Sequence, residues 1–448
     1  MDAPTLLTGI VAYVLLTVLG LGAVYITGNH RDTISFQQRL FLTAMTIRFA
    51  AAVILHQPGI YEMVIGSADA CGWEGGRWFK EAIDRSELGP LAIPQQLFAA
   101  YNGGDQGYGP IVGTYFYFTR LDTQLSAAAF SCFCGSVTAL LAYRLGRTVF
   151  SESVAIKVGW LVSLFPLMII WSIQTIKEPI VILCEIIAIY TCTVLRNNNF
   201  SLIHITLWAL SVVVLLPLRF YAAYMLAGVF LVAMLAPNLG RGSIPFGSAV
   251  TGATILLSVM NMAPDTVKSH QQIFESYDVD KVQGFRDAVT TGEGSGSGVQ
   301  SSFDLKSRSG IGLATVVGAL HLLLAPFPWQ FAGSSTRFLL TVPEMLVWWV
   351  LVARGLLSGL AHCLRRQAGD VLPMLLFMVV LGSVYSLMFG NVGIIYRQRA
   401  QLLPYLLMII MVGLETSGAR RPDVSPLEGR VESNSPRARA SATLELVS

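Results

Sequence analysis

The chain has 448 residues, of which 54% are hydrophobic and only 13% charged, with a formal net charge of +3 and a mean hydropathy of +0.60. Soluble domains carry about 25% charged residues, so these values exclude a soluble globular protein and require a polytopic membrane chain. The basic residues are scattered over loops and the tail, with no stripe interleaved with exposed aromatics, which excludes a nucleic-acid partner.

Residues 5–27 form a first apolar span. It has no basic leader and no A-x-A-like site, so it reads as a retained helix. The next loop carries His30, Arg31 and Arg39, which the positive-inside rule places in the cytoplasm, with the N-terminus outside. A second span, 40–55, contains Arg48, which must face protein, water or a headgroup. Loop 57–122 is then outside. It holds the first strongly polar segment, SADACGWEGGRWFKEAID (67–84), with Asp69, Glu74, Glu81 and Asp84 among Trp73, Trp78 and Phe79. Residues 111–118 make an amphipathic aromatic piece suited to the membrane plane.

A third span, 124–143, is followed by Arg144, Arg147 and Lys157 inside. A fourth ends at Trp171, so WSIQTIKEP (171–179) is outside. A fifth, 180–195, ends inside at Arg196. The sixth and seventh form a tight hairpin around Pro217 and Arg219 at the outer face. Arg241 marks the inside again, and the eighth span runs 245–262.

The second long loop, 263–309, is outside, polar, and ends in the flexible stretch TGEGSGSGVQSS. The stretch 310–324 is apolar and Gly/Ala-rich, but at about 15 residues it suits an interfacial or re-entrant segment better than a span. Charge parity agrees. If it does not cross, 339–353 runs inward, and Arg354, Arg365, Arg366 and the basic tail all fall inside. The expected fold is an all-α polytopic membrane protein with about eleven transmembrane helices and two long outer loops (57–122 and 263–338) carrying interfacial helices. Residues 1–39 read as an extra N-terminal transmembrane helix and basic cytoplasmic loop, 40–416 as a transmembrane catalytic domain, and 417–448 as a disordered cytoplasmic tail.

The short outer loops hold few basic residues: Lys177, Arg219, Arg397 and Arg399. The charge rule discourages cations there, so each calls for a reason. Arg397 and Arg399, two residues apart, do not share a helix face, which suggests a loop or helix start. Cations at headgroup level either snorkel to ordinary lipid or bind a lipid-linked phosphate or pyrophosphate, whose oxygens suit the arginine fork. Arg219 either joins that site or pairs with a carboxylate. Asp69, just outside a span, either caps the following helix or accepts a proton from an attacking hydroxyl. Glu62, Glu74 and Asp105 are its rivals, Asp105 inside the Gly-rich turn YNGGDQGYGP. His56 and His321 read as packing or interfacial residues. Cys132, Cys134, Cys184 and Cys192 lie in apolar spans, Cys363 in a basic inner loop, and Cys71 in an outer loop, so no disulfide framework or zinc spacing follows. There is no P-loop, dinucleotide fingerprint or HExxH helix, and no metal or cofactor is expected.

With these residues in place, the chain resembles the polytopic GT-C glycosyltransferases, the group that includes protein O-mannosyltransferases, the aminoarabinose transferases acting on lipid A and many bacterial cell-surface glycan enzymes. The resemblance rests on Asp69 in the first long outer loop, LFPLMIIWSIQTIKEP (164–179), LRFYAAY (218–224), YRQR (396–399) and LLLAPFPWQ (322–330). It covers about 40–414 and leaves the first span as an addition. It implies an inverting transfer outside the membrane from a polyprenyl-phosphate sugar to a glycan, lipid or protein acceptor. Asp69 would be the general base. Lys177, Arg397 and Arg399, with Arg219, would hold the phosphate and stabilise the leaving group. Glu74, Asp105 and Glu178 are secondary or acceptor-side candidates. A metal is not required in most members. Many members have Tyr four residues after the Asp; here that position is Trp73.

Two other functions compete. A lipid-linked glycan flippase predicts polar residues deep in several spans and related halves; the mid-span load here is essentially Arg48, Glu185 and Glu344, without a clear repeat. A glycan polymerase or ligase shares the lipid-linked donor and differs in acceptor. The size and short loops point to a bacterial inner membrane with a periplasmic active face.

Overall fold

Within a bilayer every backbone amide must find its partner inside the protein, and this chain answers with helices. The computed structural model describes residues 2–28, 31–60, 75–87, 107–198, 200–236, 246–262, 264–276, 278–291, 305–330, 336–388 and 390–418. In chain order the helices are α1 (Ala3–Thr27), α2 (Arg31–Leu55), α3 (Arg77–Ser86), α4 (Tyr108–Thr119), α5 (Gln124–Val149), α6 (Glu152–Leu164), α7 (Pro166–Ser172), α8 (Glu178–Asn198), α9 (Leu202–Leu235), α10 (Phe246–Met262), α11 (Pro264–Ser276), α12 (Val279–Thr291), α13 (Arg308–Leu324), α14 (Thr336–Leu351), α15 (Leu357–Arg366), α16 (Ala368–Leu387) and α17 (Val392–Gly418). The protein is an all-α polytopic membrane protein. Among the described residues eight helices are long and apolar enough to cross a bilayer, or nine if the bent pair α6–α7 is one span.

The expected eleven spans differ from this number for stated reasons. The expected sixth and seventh spans lie within α9, a 34-residue helical run broken at Arg219 (φ −160°, ψ 74°). Trp208 and Phe230 would sit about 33 Å apart on one straight helix. Their rings stack with centroids 4.0 Å apart. The run therefore doubles back, and the hairpin around Pro217 and Arg219 is present. The expected eighth span appears as α10, which at 17 residues is shorter than the ~20 a span needs. The second span does not start at residue 40: helix α2 begins at Arg31 and absorbs most of the expected basic loop.

The two ends of the bundle differ in charge. At one end Arg147 pairs with Glu152 (2.9 Å) and Lys157 with Glu415 (2.8 Å). There too Arg144 donates to Gln37 (2.8 Å), and Arg196 to the carbonyls of Gly369 (3.0 Å) and Ala233. The other end holds the hairpin tip and the start of α17. From Arg397 to Glu415, α17 rises roughly 27 Å, close to the ~30 Å of a hydrocarbon core.

Two helices end inside the bundle, and in both cases side chains close the break. Pro166 has no N–H, so the fourth expected span bends by 51° between α6 and α7. Arg48, 0% exposed, donates to the carbonyls of Val162 (2.9 Å) and Ser163 (2.8 Å) and to Ser172 Oγ (3.0 Å). The mid-span arginine thus caps a broken helix. Glu344, on α14, accepts from Tyr396 OH (3.0 Å).

Helix α13 is the second case. A Cβ at Gly382 of α16 would lie 3.8 Å from Leu322, and Gly318 abuts the Ser386 backbone so closely that no side chain fits. Thus α13 runs antiparallel to α16 and reaches only the last turns of it before stopping, as a re-entrant helix does. Its last carbonyls, of Leu322, Leu323 and Leu324, accept from Arg399 Nε (2.8 Å), Trp348 Nε1 (2.6 Å) and Trp349 Nε1 (2.8 Å). This is how a helix can stop at membrane depth.

Removing Arg48 would strand the Val162 and Ser163 carbonyls, and a buried orphan costs about 1–3 kcal/mol. Arg48→Met is expected to destabilise the protein by about 2–4 kcal/mol, read as a lower melting temperature in detergent. An unchanged melting temperature would show that the break needs no cap.

Candidate functional site

The site grows from the short segment between α7 and α8. The break at Pro166 turns the chain so that Lys177 and Glu178 meet the hairpin tip of α9 and the first turns of α17. Glu178 is 0% exposed. Its Oε1 accepts from Arg219 Nη2 (3.0 Å) and Arg397 Nη2 (2.6 Å). Lys177 is buried beside it. The Arg397 guanidinium lies 5.5 Å from the Trp171 ring centroid, a cation–π contact worth about 0.5–2 kcal/mol. Arg397 is the most accessible of the paired charges, with 21% of its side chain exposed, against 5% for Arg219. Four residues of WSIQTIKEP and YRQR thus meet as one site: Trp171, Lys177, Glu178 and Arg397.

Arg219 pairs with a carboxylate, as one of its expected roles required, and it is held on further sides. Its Nη1 donates to Tyr385 OH (2.8 Å) and to the Gln398 carbonyl oxygen (2.5 Å). The Gln401 carboxamide also faces it: turned so that its NH2 meets Glu185 Oε1 (2.8 Å), its oxygen lies 2.6 Å from Arg219 Nη1. The rest of LRFYAAY positions the neighbours. Tyr221 OH lies 3.3 Å from Tyr385 OH. Phe220 stacks on His270 at 4.7 Å, and Tyr224 OH meets its Nδ1 at 3.1 Å. His270 therefore docks α11, from the second long loop, onto the hairpin. Burial lowers the pKa of its imidazole.

Arg399 goes elsewhere. Both arginines are in the early turns of α17, on a helix and not a loop, and two positions apart they leave it on nearly opposite sides. Arg399 is 1% exposed. It caps the Leu322 carbonyl and lies 5.8 Å from the Trp348 ring and 5.3 Å from the Tyr396 ring. Tyr396 OH in turn donates to Glu344 Oε2 (3.0 Å). Arg399 therefore turns away from Arg397 and Glu178, with its guanidinium on the end of α13.

Asp69, Glu74, Asp105, Glu62 and Cys71 lie outside the described residues. The described ends of their loop are tied to the site. Gly75 O accepts from Thr175 Oγ1 (3.1 Å), and the Gly107 N–H donates to Pro217 O (3.0 Å). On α3, Glu81 packs beside Gly109. Burial raises its carboxyl pKa, opposed by Arg85 at 3.7 Å. The five described cysteines are buried and free. The Nδ1 atoms of His56 and His321 face backbone carbonyls one turn back, at 2.8 Å each. Among the described residues no three His, Cys, Asp or Glu side chains gather as a metal site would need.

Sequence reasoning missed Tyr385, Gln398, Gln401 and His270. The two glutamines follow Arg397 and Arg399 on α17, and only the packed bundle shows that they face Arg219.

No known family's sequence model matches the chain, and no curated protein matches it. One similar solved structure is the archaeal oligosaccharyltransferase AglB from Archaeoglobus fulgidus, in complex with an inhibitory peptide and a dolichol-phosphate. It aligns with a TM-score of 0.45 and 13% identity over 85% of this chain and 50% of that chain. The chain thus spans about half the length of that protein, and a likeness at this level carries no functional assignment.

If Arg399 caps α13, Arg399→Leu should loosen that helix end. Hydrogen exchange of the amides at 318–325 is expected to speed up about tenfold or more, with Arg397→Ala leaving them protected. Equal protection in Arg399→Leu would contradict the capping role.

Proposed function

We propose that this chain is an integral-membrane glycosyltransferase. It moves a sugar from a polyprenyl-phosphate donor to a glycan, lipid or protein acceptor at the outer face of a bacterial cytoplasmic membrane. The observation that carries this reading is the charge of the buried cluster. Among the described residues, two guanidinium groups, Arg219 and Arg397, share the single oxygen Glu178 Oε1, with Lys177 buried next to it in the chain. Cations gathered this closely at the mouth of a membrane bundle suit an anionic ligand.

Clustered cations suit the reaction's direction. A polyprenyl-phosphate sugar is a phosphodiester with a single negative charge. The leaving phosphate monoester carries about −1.5 to −2. A cationic cluster therefore binds the developing leaving group better than the donor, which is the condition for catalysis. In this mechanism Asp69 takes the proton of the acceptor hydroxyl. The freed oxygen attacks the sugar's anomeric carbon with inversion, and the carbon–oxygen bond to phosphate breaks with its electron pair going to phosphate. Arg397, the most exposed of the paired cations, meets the phosphate first, and Lys177 and Arg219 reinforce it. Asp69 is six residues before Gly75, which hydrogen-bonds the Thr175 turn beside Lys177. Glu74 and Asp105 remain its rivals on the same loop.

The flippase alternative draws little from the mid-span charges. Arg48 caps the α6–α7 break, and Glu344 accepts from Tyr396 OH. A polymerase or ligase would use the same cation site with a different acceptor.

The test compares surface glycans and lipid-linked sugars in cells carrying the native chain, a deletion, Asp69→Asn or Arg397→Ala at matched expression. The reading expects a glycan lost in the deletion and in Asp69→Asn, with the lipid-linked donor accumulating. Arg397→Ala should lower transfer by about a hundredfold or more. A glycan profile identical to wild type in all three would contradict it. A profile retained only in Asp69→Asn would remove Asp69 as the base.

A further inference from the structure

Glu185 lies on α8 two turns inward from Glu178, about 10 Å along the axis, and is 0% exposed. No ion pair reaches it among the described residues. Its nearest polar neighbour is the Gln401 carboxamide: turned so that Nε2 donates to Glu185 Oε1 (2.8 Å), this amide accepts from Arg219 Nη1 through Oε1 (2.6 Å) and brings that oxygen within 2.7 Å of Gln398 Oε1. Glu185 Oε2 has no hydrogen-bond partner among the described residues. Burying a carboxyl with so little support is costly, so this position invites a reason.

A carboxamide is nearly isosteric at its two ends, so its orientation is set by its neighbours alone. Gln401 sits, 0% exposed, between a guanidinium that needs an acceptor and a carboxyl that needs a donor. Rotated by half a turn it would gain a hydrogen bond from its NH2 to Gln398 Oε1 (2.7 Å), but would aim that NH2 at the Arg219 guanidinium, donor against donor, and its oxygen at the Glu185 carboxylate. Arg219 itself stands on the non-helical residue of the hairpin tip, where its own backbone does little to fix it. Tyr385, which also receives Arg219, touches the same amide: its OH lies 2.9 and 3.0 Å from the two ends of the Gln401 carboxamide.

We infer that Glu185 is a positioning residue of the cation site: by pinning the polarity of the Gln401 carboxamide, it fixes the Arg219 guanidinium against Glu178 and toward an incoming phosphate. The role rests on the phosphate reading of the site, and it names a residue buried behind that site which touches no substrate. Glu185 acts through Gln401, so the two side chains form one unit. Glutamine at 185 can still offer an oxygen to Gln401 Nε2; leucine cannot.

The test uses the full chain in lipid nanodiscs and a C55 polyprenyl monophosphate as the probe, with binding read by native mass spectrometry. Glu185→Leu and Gln401→Leu are each expected to weaken binding about tenfold. The double variant should be no worse than either single, because one chain of contacts is broken in all three. Glu185→Gln should bind within about twofold of wild type. Losses that multiply in the double variant, or a Glu185→Gln as weak as Glu185→Leu, would overturn the assignment. If the wild-type chain does not bind the probe, the phosphate reading fails, and a melting-temperature cycle decides the positioning role separately. Non-additive shifts for Glu185→Leu and Arg219→Met would support it, and additive shifts would overturn it.

Discussion

A single carboxylate oxygen, Glu178 Oε1, holds two guanidinium groups at the mouth of a helical bundle. Like charges about 5 Å apart repel by about 3 kcal/mol at an effective dielectric of 20, so Arg219 and Arg397 need that oxygen to stay together. The contact joins three elements that are distant in sequence: the start of α8, the tip of α9 and the start of α17. Among the described residues it gathers two guanidinium groups on one carboxylate oxygen.

The bundle is shaped around that cluster by breaks in its helices. A continuous span from 152 to 172 would carry Trp171 and the following turn to another place. Pro166 bends it, and Arg48 makes the bend tolerable by taking the carbonyls that the proline frees. At the other side α13 stops at membrane depth because Arg399, Trp348 and Trp349 receive its last carbonyls. The same chemistry, a charged or aromatic donor on an orphan carbonyl, is used for two different breaks. Of the intramembrane arginines in this chain, two are thereby committed to backbone and one pair to Glu178.

Much of this was legible in residue types. Low charge and apolar runs gave the helical membrane class, and the positive residues of the loops gave the pairing of helix ends. Pro217 marked the hairpin because proline cannot continue the ladder. The apolar stretch before APFPWQ reads as short for a span, and it forms the 17-residue helix α13. Other features depended on packing. Arg397 and Arg399 look equivalent in YRQR, yet half a turn of helix sends one to Glu178 and the other to Leu322. Gln398, Gln401 and Glu185 carry no motif, since a glutamine facing an arginine can be found only once α8, α9 and α17 are assembled. The extension of α2 back to Arg31 was hidden because its first turns are polar. Asp69, on which the resemblance leans most, lies outside the described residues.

The most direct test is a density map of the full chain in nanodiscs with a non-reactive polyprenyl-phosphate sugar analogue bound. The account predicts phosphate density within about 3 Å of Arg397 and Lys177 nitrogens, with the polyprenyl chain leaving along the lipid-facing side of the bundle. Phosphate density elsewhere, with Glu178, Arg219 and Arg397 unchanged and unengaged, would show that the cluster is a structural device, and the glycosyltransferase reading of this site would fall.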